Sequence, residues 1–121
     1  MILVDTSVWV DHLRRGEEGL SALLNGGQVL SHSFVIGELA CGNLRNRAEV
    51  LDLLQKLPQV PLASQEEVLF FVQSNALMGQ GIGFVDAHLL ASTALAGASR
   101  IWSYDKSLTR VASDLHLDYQ A

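Results

Sequence analysis

The 121-residue sequence predicts one α/β domain, with a mostly parallel sheet covered by helices on both faces. Three observations carry that expectation. Short strand-like runs such as Ile2-Leu3-Val4 and Arg100 to Ser103 alternate with longer stretches of helical periodicity. Glycines, prolines and capping residues punctuate the boundaries between them. Hydrophobic residues make up 49% of the chain, enough for one core in a length that leaves no room for two.

Taken in order, Ile2-Leu3-Val4 reads as a buried strand and Ser7 through Leu13 as a helix that Asp5, Thr6 or Ser7 can cap. Arg14-Arg15-Gly16 ends that helix, and Glu17 to Leu24 forms a second one closed by Gly26-Gly27. Gln28 to Ser31 is a short strand. Ser33 is the expected N-cap of a helix from Phe34 to Ala40, which carries Glu38 on its second turn. Arg47 to Leu57 gives a further helix that stops at Pro58. A short strand fits around Val60 to Leu62, and Ser64-Gln65-Glu66-Glu67 has the capping-box pattern for a helix to about Met78. Gly79-Gln80-Gly81-Ile82-Gly83 is the clearest loop. It precedes an alanine-rich helix, Phe84 to Ala96, that has Asp86 in its first turn and Gly97 at its end. Arg100 to Ser103 is the next strand, Lys106 to Leu115 the last helix, and Leu117 to Tyr119 an edge strand.

Several classes of protein are set aside by composition. The run Ile2-Leu3-Val4 is too short for a signal sequence, and Leu89 to Ala98 is too short and too rich in small residues to span a bilayer. The expectation is a soluble, cytoplasmic protein with no membrane partner. Cys41 is the single cysteine, which excludes an internal disulfide and a cysteine-based zinc cluster. Its apolar helical context predicts a packed core thiol.

Asp5, Glu38, Asp86 and Asp105 each stand where a strand ends or a helix begins. Taken singly, each has an ordinary reading: a cap or Asx-turn for Asp5 and Asp105, a helix-dipole partner for Asp86, a solvated residue for Glu38. Independent caps have no reason to gather at one sheet edge, the edge at which open parallel sheets bind ligands. Two carboxylates about 5 Å apart repel by roughly 3 kcal/mol at an effective dielectric of about 20, so four together call for a cation. Oxygen-only ligands suit Mg²⁺ or Mn²⁺ rather than Zn²⁺. The pattern therefore points to a divalent-metal site for cutting phosphodiesters. His12, His32, His88 and His116 show no paired ligand spacing and are assigned to surface or packing, with His32 and His88 as candidate neighbours of the site. The net charge of −5 argues little against a phosphate substrate, because setting the four acids aside leaves nine acidic against eight basic residues.

The opening Ile2-Leu3-Val4-Asp5-Thr6-Ser7-Val8-Trp9, the segment Val35-Ile36-Gly37-Glu38-Leu39, the helix start Asp86-Ala87-His88-Leu89-Leu90-Ala91 and Ser103-Tyr104-Asp105-Lys106 together resemble the PIN-domain ribonucleases, in particular the VapC toxins of toxin-antitoxin pairs. The resemblance covers essentially the whole chain. It implies a three-layer α/β/α sandwich, a single PIN domain over residues 1–121, a homodimer, and endonucleolytic cleavage of RNA with one or two Mg²⁺ or Mn²⁺ ions. It also implies a cognate VapB-type antitoxin whose C-terminal segment lies along the active-site groove. Asp5 and Asp86 are the implied direct metal ligands, Glu38 and Asp105 complete the cluster directly or through water, and Ser7 and Ser103 orient the carboxylates. Arg14, Arg15 and Lys106 are candidate contacts to RNA or antitoxin, and Trp9 is expected in the core or at a protein interface.

Other readings fit less well. A haloacid-dehalogenase-like phosphatase needs a second Asp where Ser7 stands. A receiver-like phosphoacceptor domain, to which Lys106 beside Asp105 gives some support, needs paired acids at the first strand. A catalytically silent PIN-like module that binds RNA or protein stays open as the alternative.

Overall fold

A computed structural model describes residues Met1–Ala121, and in it Ile2, Leu3 and Val4 form the central strand β1 (Ile2–Val4). Successive strand residues point to opposite faces, so the burial of all three means that both faces of the sheet are covered. Strand β1 pairs in parallel with β2 (Val29–Leu30) on one side and with β3 (Arg100–Trp102) on the other. The sheet order is β2-β1-β3, and the register sets Leu3 beside Leu30 and Ile101, and Val4 beside Trp102.

Seven helices complete the α/β fold: α1 (Thr6–Arg15), α2 (Glu18–Asn25), α3 (Ser33–Ala40), α4 (Arg47–Lys56), α5 (Gln65–Ser74), α6 (Phe84–Leu95) and α7 (Lys106–Asp114). Leu20, Leu39, Leu54, Leu89, Leu90 and Leu108 bring α2, α3, α4, α6 and α7 onto the sheet in one core, which also takes Val8 and Trp9 from α1. Trp9 is thus a core residue. Helix α5 docks on α6 through a smaller cluster of Ala63, Val68, Ala87 and Ala91, where the alanines allow a close approach.

Several boundaries differ from the sequence expectation, each for a local reason. Helix α1 starts at Thr6 with Asp5 in the N-cap position, and α2 uses Glu17 as its cap, the carboxylate accepting from Gly19 N–H. The N-cap of α3 is His32, not Ser33: the imidazole Nδ1 accepts the Phe34 N–H at 2.9 Å. Helix α5 stops at Ser74, short of Met78, because Ala76 turns left-handed at φ 53° and Leu77 N–H reaches back to the Val72 carbonyl at 2.9 Å. No strand forms over Val60 to Leu62. There is one bridge, Ser31 to Gln59, and Pro61 has no N–H with which to extend it. Leu117 to Tyr119 likewise contributes a single bridge, Ile101 to Asp118. Cys41 is exposed instead of packed: α3 ends at Ala40, and its buried stripe runs through Val35 and Leu39. The Ser64–Glu67 capping box forms in full, with Glu67 N–H to Ser64 Oγ at 3.1 Å and Ser64 N–H to Glu67 Oε1 at 2.8 Å.

Two substitutions measure these terms in urea unfolding. Leu89→Ala empties a fully buried core position and should lower stability by about 3 kcal/mol, whereas Ser64→Ala removes one cap and should cost about 1 kcal/mol.

Candidate active site

With β1 between β2 and β3, the chain goes to one side of β1 first and to the other side later, so the carboxyl ends of β1 and β3 flank a topological switch point. Asp5 follows β1 directly, and Ser103-Tyr104-Asp105 follows β3. The ladder reaches one residue further, with Asp5 N–H donating to the Trp102 carbonyl at 2.9 Å. The backbone of Asp5 is thereby pinned at this edge.

An aspartate at an N-cap ordinarily accepts from the first turn of its helix. The Asp5 side chain makes no such bond. Its Oδ2 instead accepts from Ser103 Oγ at 2.7 Å and Ser7 Oγ at 2.9 Å. Each serine in turn accepts a backbone N–H: Tyr104 donates to Ser7 Oγ and Asp105 to Ser103 Oγ, both at 3.0 Å. The two hydroxyls relay the backbone of the loop after β3 onto one buried carboxylate.

The other three acids are held with the same economy of atoms. Glu38 Oε1 accepts from Thr6 Oγ1 at 2.6 Å, which ties α3 to the residue after Asp5. Asp86 Oδ2 accepts the Gly83 N–H at 3.1 Å, and Asp105 Oδ1 accepts the Leu108 N–H at 2.9 Å. Each of the four carboxylates thus gives one oxygen to the protein and keeps the other without a protein donor. Burial pushes the Asp86 carboxyl above the ordinary range, and the charges of Asp5, Asp105 and Glu38 push it further, against the lowering effect of the Gly83 N–H. Those three contributions place all four acids in one electrostatic neighbourhood.

The four do not close into a cage: no three Asp, Glu, His or Cys side chains come close enough to grip a metal ion. The donor chemistry nevertheless fits a hard divalent cation, since all four groups are carboxylates, each with one oxygen to spare.

His32 and His88 lie next to this region. His32 is fully buried; because its Nδ1 accepts from Phe34, its proton is on Nε2, which donates to Ser92 Oγ on α6 at 3.2 Å. His32 therefore caps the helix that carries Glu38 and ties it to the helix that carries Asp86. Burial, with His88 adding repulsion, lowers its pKa from 6.5 to about 4, and burial lowers that of His88 as well. His12 accepts the Glu17 N–H, and His116 is exposed with a left-handed backbone.

The basic candidates are spread out. Arg15 is paired with Asp11 at 2.5 Å, while Arg14 is exposed and has no partner within the chain. Lys106 lines a polar groove of about 570 Å³ together with Ser103, Tyr104 and Arg110. The residue missed in the sequence is Thr6, which was readable only as a cap although its hydroxyl holds Glu38. Its place between Asp5 and Ser7 was the available signal.

An α/β domain with acids at its switch-point edge is the class these observations define, and a family model described as PIN domain matches residues 2–114: the chain belongs to the PIN-domain family. It is also 46% identical over 114 residues to a protein named Ribonuclease VapC32 from Mycobacterium tuberculosis (strain CDC 1551 / Oshkosh), an alignment covering 94% of this chain and 92% of the relative. The protein of the same name from strain ATCC 25618 / H37Rv is equally similar. The PIN and VapC resemblance read from the sequence is borne out.

Two stability measurements follow from these environments. Asp86→Asn keeps an acceptor for Gly83 but removes a charge that folding disfavours, so its melting temperature in EDTA at neutral pH should exceed that of the wild type. A raised carboxyl pKa makes the folded state hold its proton more tightly, so the gap should narrow as pH falls toward about 4. His32 acts in the opposite sense. Its depressed pKa stabilises the fold above 6.5, and that contribution is lost progressively as pH falls from 6.5 toward 4. His32→Asn should flatten the slope of unfolding free energy across that interval, leaving the smaller share due to His88.

Proposed function

We propose that this chain is a Mg²⁺- or Mn²⁺-dependent endoribonuclease, the toxin of a toxin-antitoxin pair, which acts in the cytoplasm and is opposed by a VapB-type antitoxin. The observation that carries this reading is the gathering of Asp5, Glu38, Asp86 and Asp105 at one sheet edge with no cationic side chain bonded to any of them. The two ion pairs of the chain, Arg15–Asp11 and Lys56–Asp52, lie elsewhere. Uncompensated negative charge of that density matches a site built for divalent cations.

Asp5 and Asp86 would hold one or two ions directly, and Glu38 and Asp105 would complete the set directly or through water. When bound, the ion supplies an activated water and offsets charge on the scissile phosphate. The residues of the chain do the rest. Ser7 and Ser103 fix Asp5 through Oδ2, which keeps Oδ1 available at a constant position. Thr6 does the same for Glu38. No side-chain nucleophile is required: the family resemblance implies that water attacks phosphorus and the P–O3′ bond breaks, which leaves a 5′-phosphate on one fragment and a 3′-hydroxyl on the other.

Two further elements of the reading draw on the surface. Exposed Arg14 and Lys106, with Arg15 beyond its pair, are the candidate contacts to RNA phosphates or to the antitoxin. Self-association into a homodimer has a candidate face in exposed Leu69, Phe70 and Leu95, around an apolar cleft of about 290 Å³ between α5 and α6.

Cleavage of total cellular RNA by purified, antitoxin-free protein tests the proposal. Discrete fragments should appear with Mn²⁺ or Mg²⁺ and vanish with EDTA and in Asp5→Asn. Ser103→Ala, which loosens Asp5 without removing it, should slow cleavage roughly ten- to a hundredfold. Cleavage that persists at the wild-type rate in Asp5→Asn would contradict the assigned site.

A further inference from the structure

We propose that Phe34, His88 and Phe84 form a stacking platform beside the carboxylate site, which holds an unpaired nucleobase of the RNA next to the scissile phosphate. The proposal rests on the ribonuclease reading above and adds a binding subsite to it. The three rings form a cluster: the His88 ring lies 4.7 Å from the Phe34 ring, tilted at 59°, and 4.7 Å from the Phe84 ring, edge to face at 85°. Its base is rigid, because His32 and His88 are buried and the His32 ring lies 5.2 Å from Phe34. The phenyl rings are not buried: Phe34 is 39% exposed and Phe84 48%.

Position ties this cluster to the acids. Phe34 comes one helical turn before Glu38 on the same face of α3, and both are exposed. Phe84 opens α6 two residues before Asp86. The exposed apolar residues Leu69, Phe70 and Leu95 lie instead on α5 and at the far end of α6, so they form a separate surface.

Charge explains why such a subsite is needed. Two of the eight cationic side chains are paired with carboxylates, Arg15 with Asp11 and Lys56 with Asp52, and Arg47, Arg100 and Arg110 each commit a guanidinium nitrogen to a backbone carbonyl. Eight cations, two of them offset by carboxylates, on a chain of net charge −5 give a weak grip on phosphate. Stacking on an aromatic face needs no charge and accepts any base, provided that the base is unpaired. The platform therefore selects single-stranded RNA without reading its sequence.

Steady-state cleavage of short single-stranded RNA of random sequence, with Mn²⁺, tests this in Phe34→Leu and Phe84→Leu. Leucine preserves apolar packing and removes the π face. Each variant should raise KM roughly tenfold with kcat within about twofold of wild type, and Phe34→Trp should restore KM. An abasic RNA of the same length should show a raised KM with the wild type and little further rise with Phe34→Leu. Wild-type KM in both leucine variants would overturn the platform, as would a change only in oligomeric state, which would assign the rings to contact with a second copy. Failure of the wild type itself to cut RNA would overturn the ribonuclease reading and the platform with it.

Discussion

Carboxylates repel one another, and this fold brings four of them to one sheet edge without bonding any to a basic side chain. The surrounding structure is arranged around that constraint. Each acid is held by one oxygen through a neutral donor: two serine hydroxyls on Asp5, a threonine hydroxyl on Glu38, backbone N–H groups on Asp86 and Asp105. Neutral donors fix position without cancelling charge. A lysine or arginine in their place would cancel the negative charge that these donors leave intact.

Rigidity at this edge comes from the middle of the sheet. Strand β1 has a neighbour on both sides and cover on both faces, so Asp5 leaves it from a fixed point. The loop after β3 is then bound to Asp5 through Ser103, and α3 is bound to the residue after Asp5 through Thr6. His32 closes the circuit from behind. As a buried neutral ring it caps α3 and bonds to Ser92 of α6, linking the helices that carry Glu38 and Asp86. His32 touches none of the acids and acts only on the helices that carry them.

Much of this was legible in the sequence because it depends on local pattern. Apolar runs ending in an acid marked β1 and β3, and Ser64 to Glu67 marked the start of α5. What was not legible depends on contacts between distant residues or on weak terminators. Ala76 ends α5 in a left-handed conformation usually taken by glycine, so nothing in the sequence marked that stop. Cys41 has apolar neighbours in sequence and lies just beyond the buried stripe of α3 in space. The identities of the four acids could be read from their positions; the role of Thr6 and the aromatic cluster of Phe34, His88 and Phe84 could not, because α3 meets α1 and α6 only in the folded chain.

The central claim is that the four spare carboxylate oxygens make one divalent-cation site. Crystals grown with saturating Mn²⁺, with data collected at the manganese absorption edge, test it most directly. One or two anomalous peaks within coordination distance of both Asp5 and Asp86 are the predicted result. A map with no anomalous density among Asp5, Glu38, Asp86 and Asp105 would contradict the account.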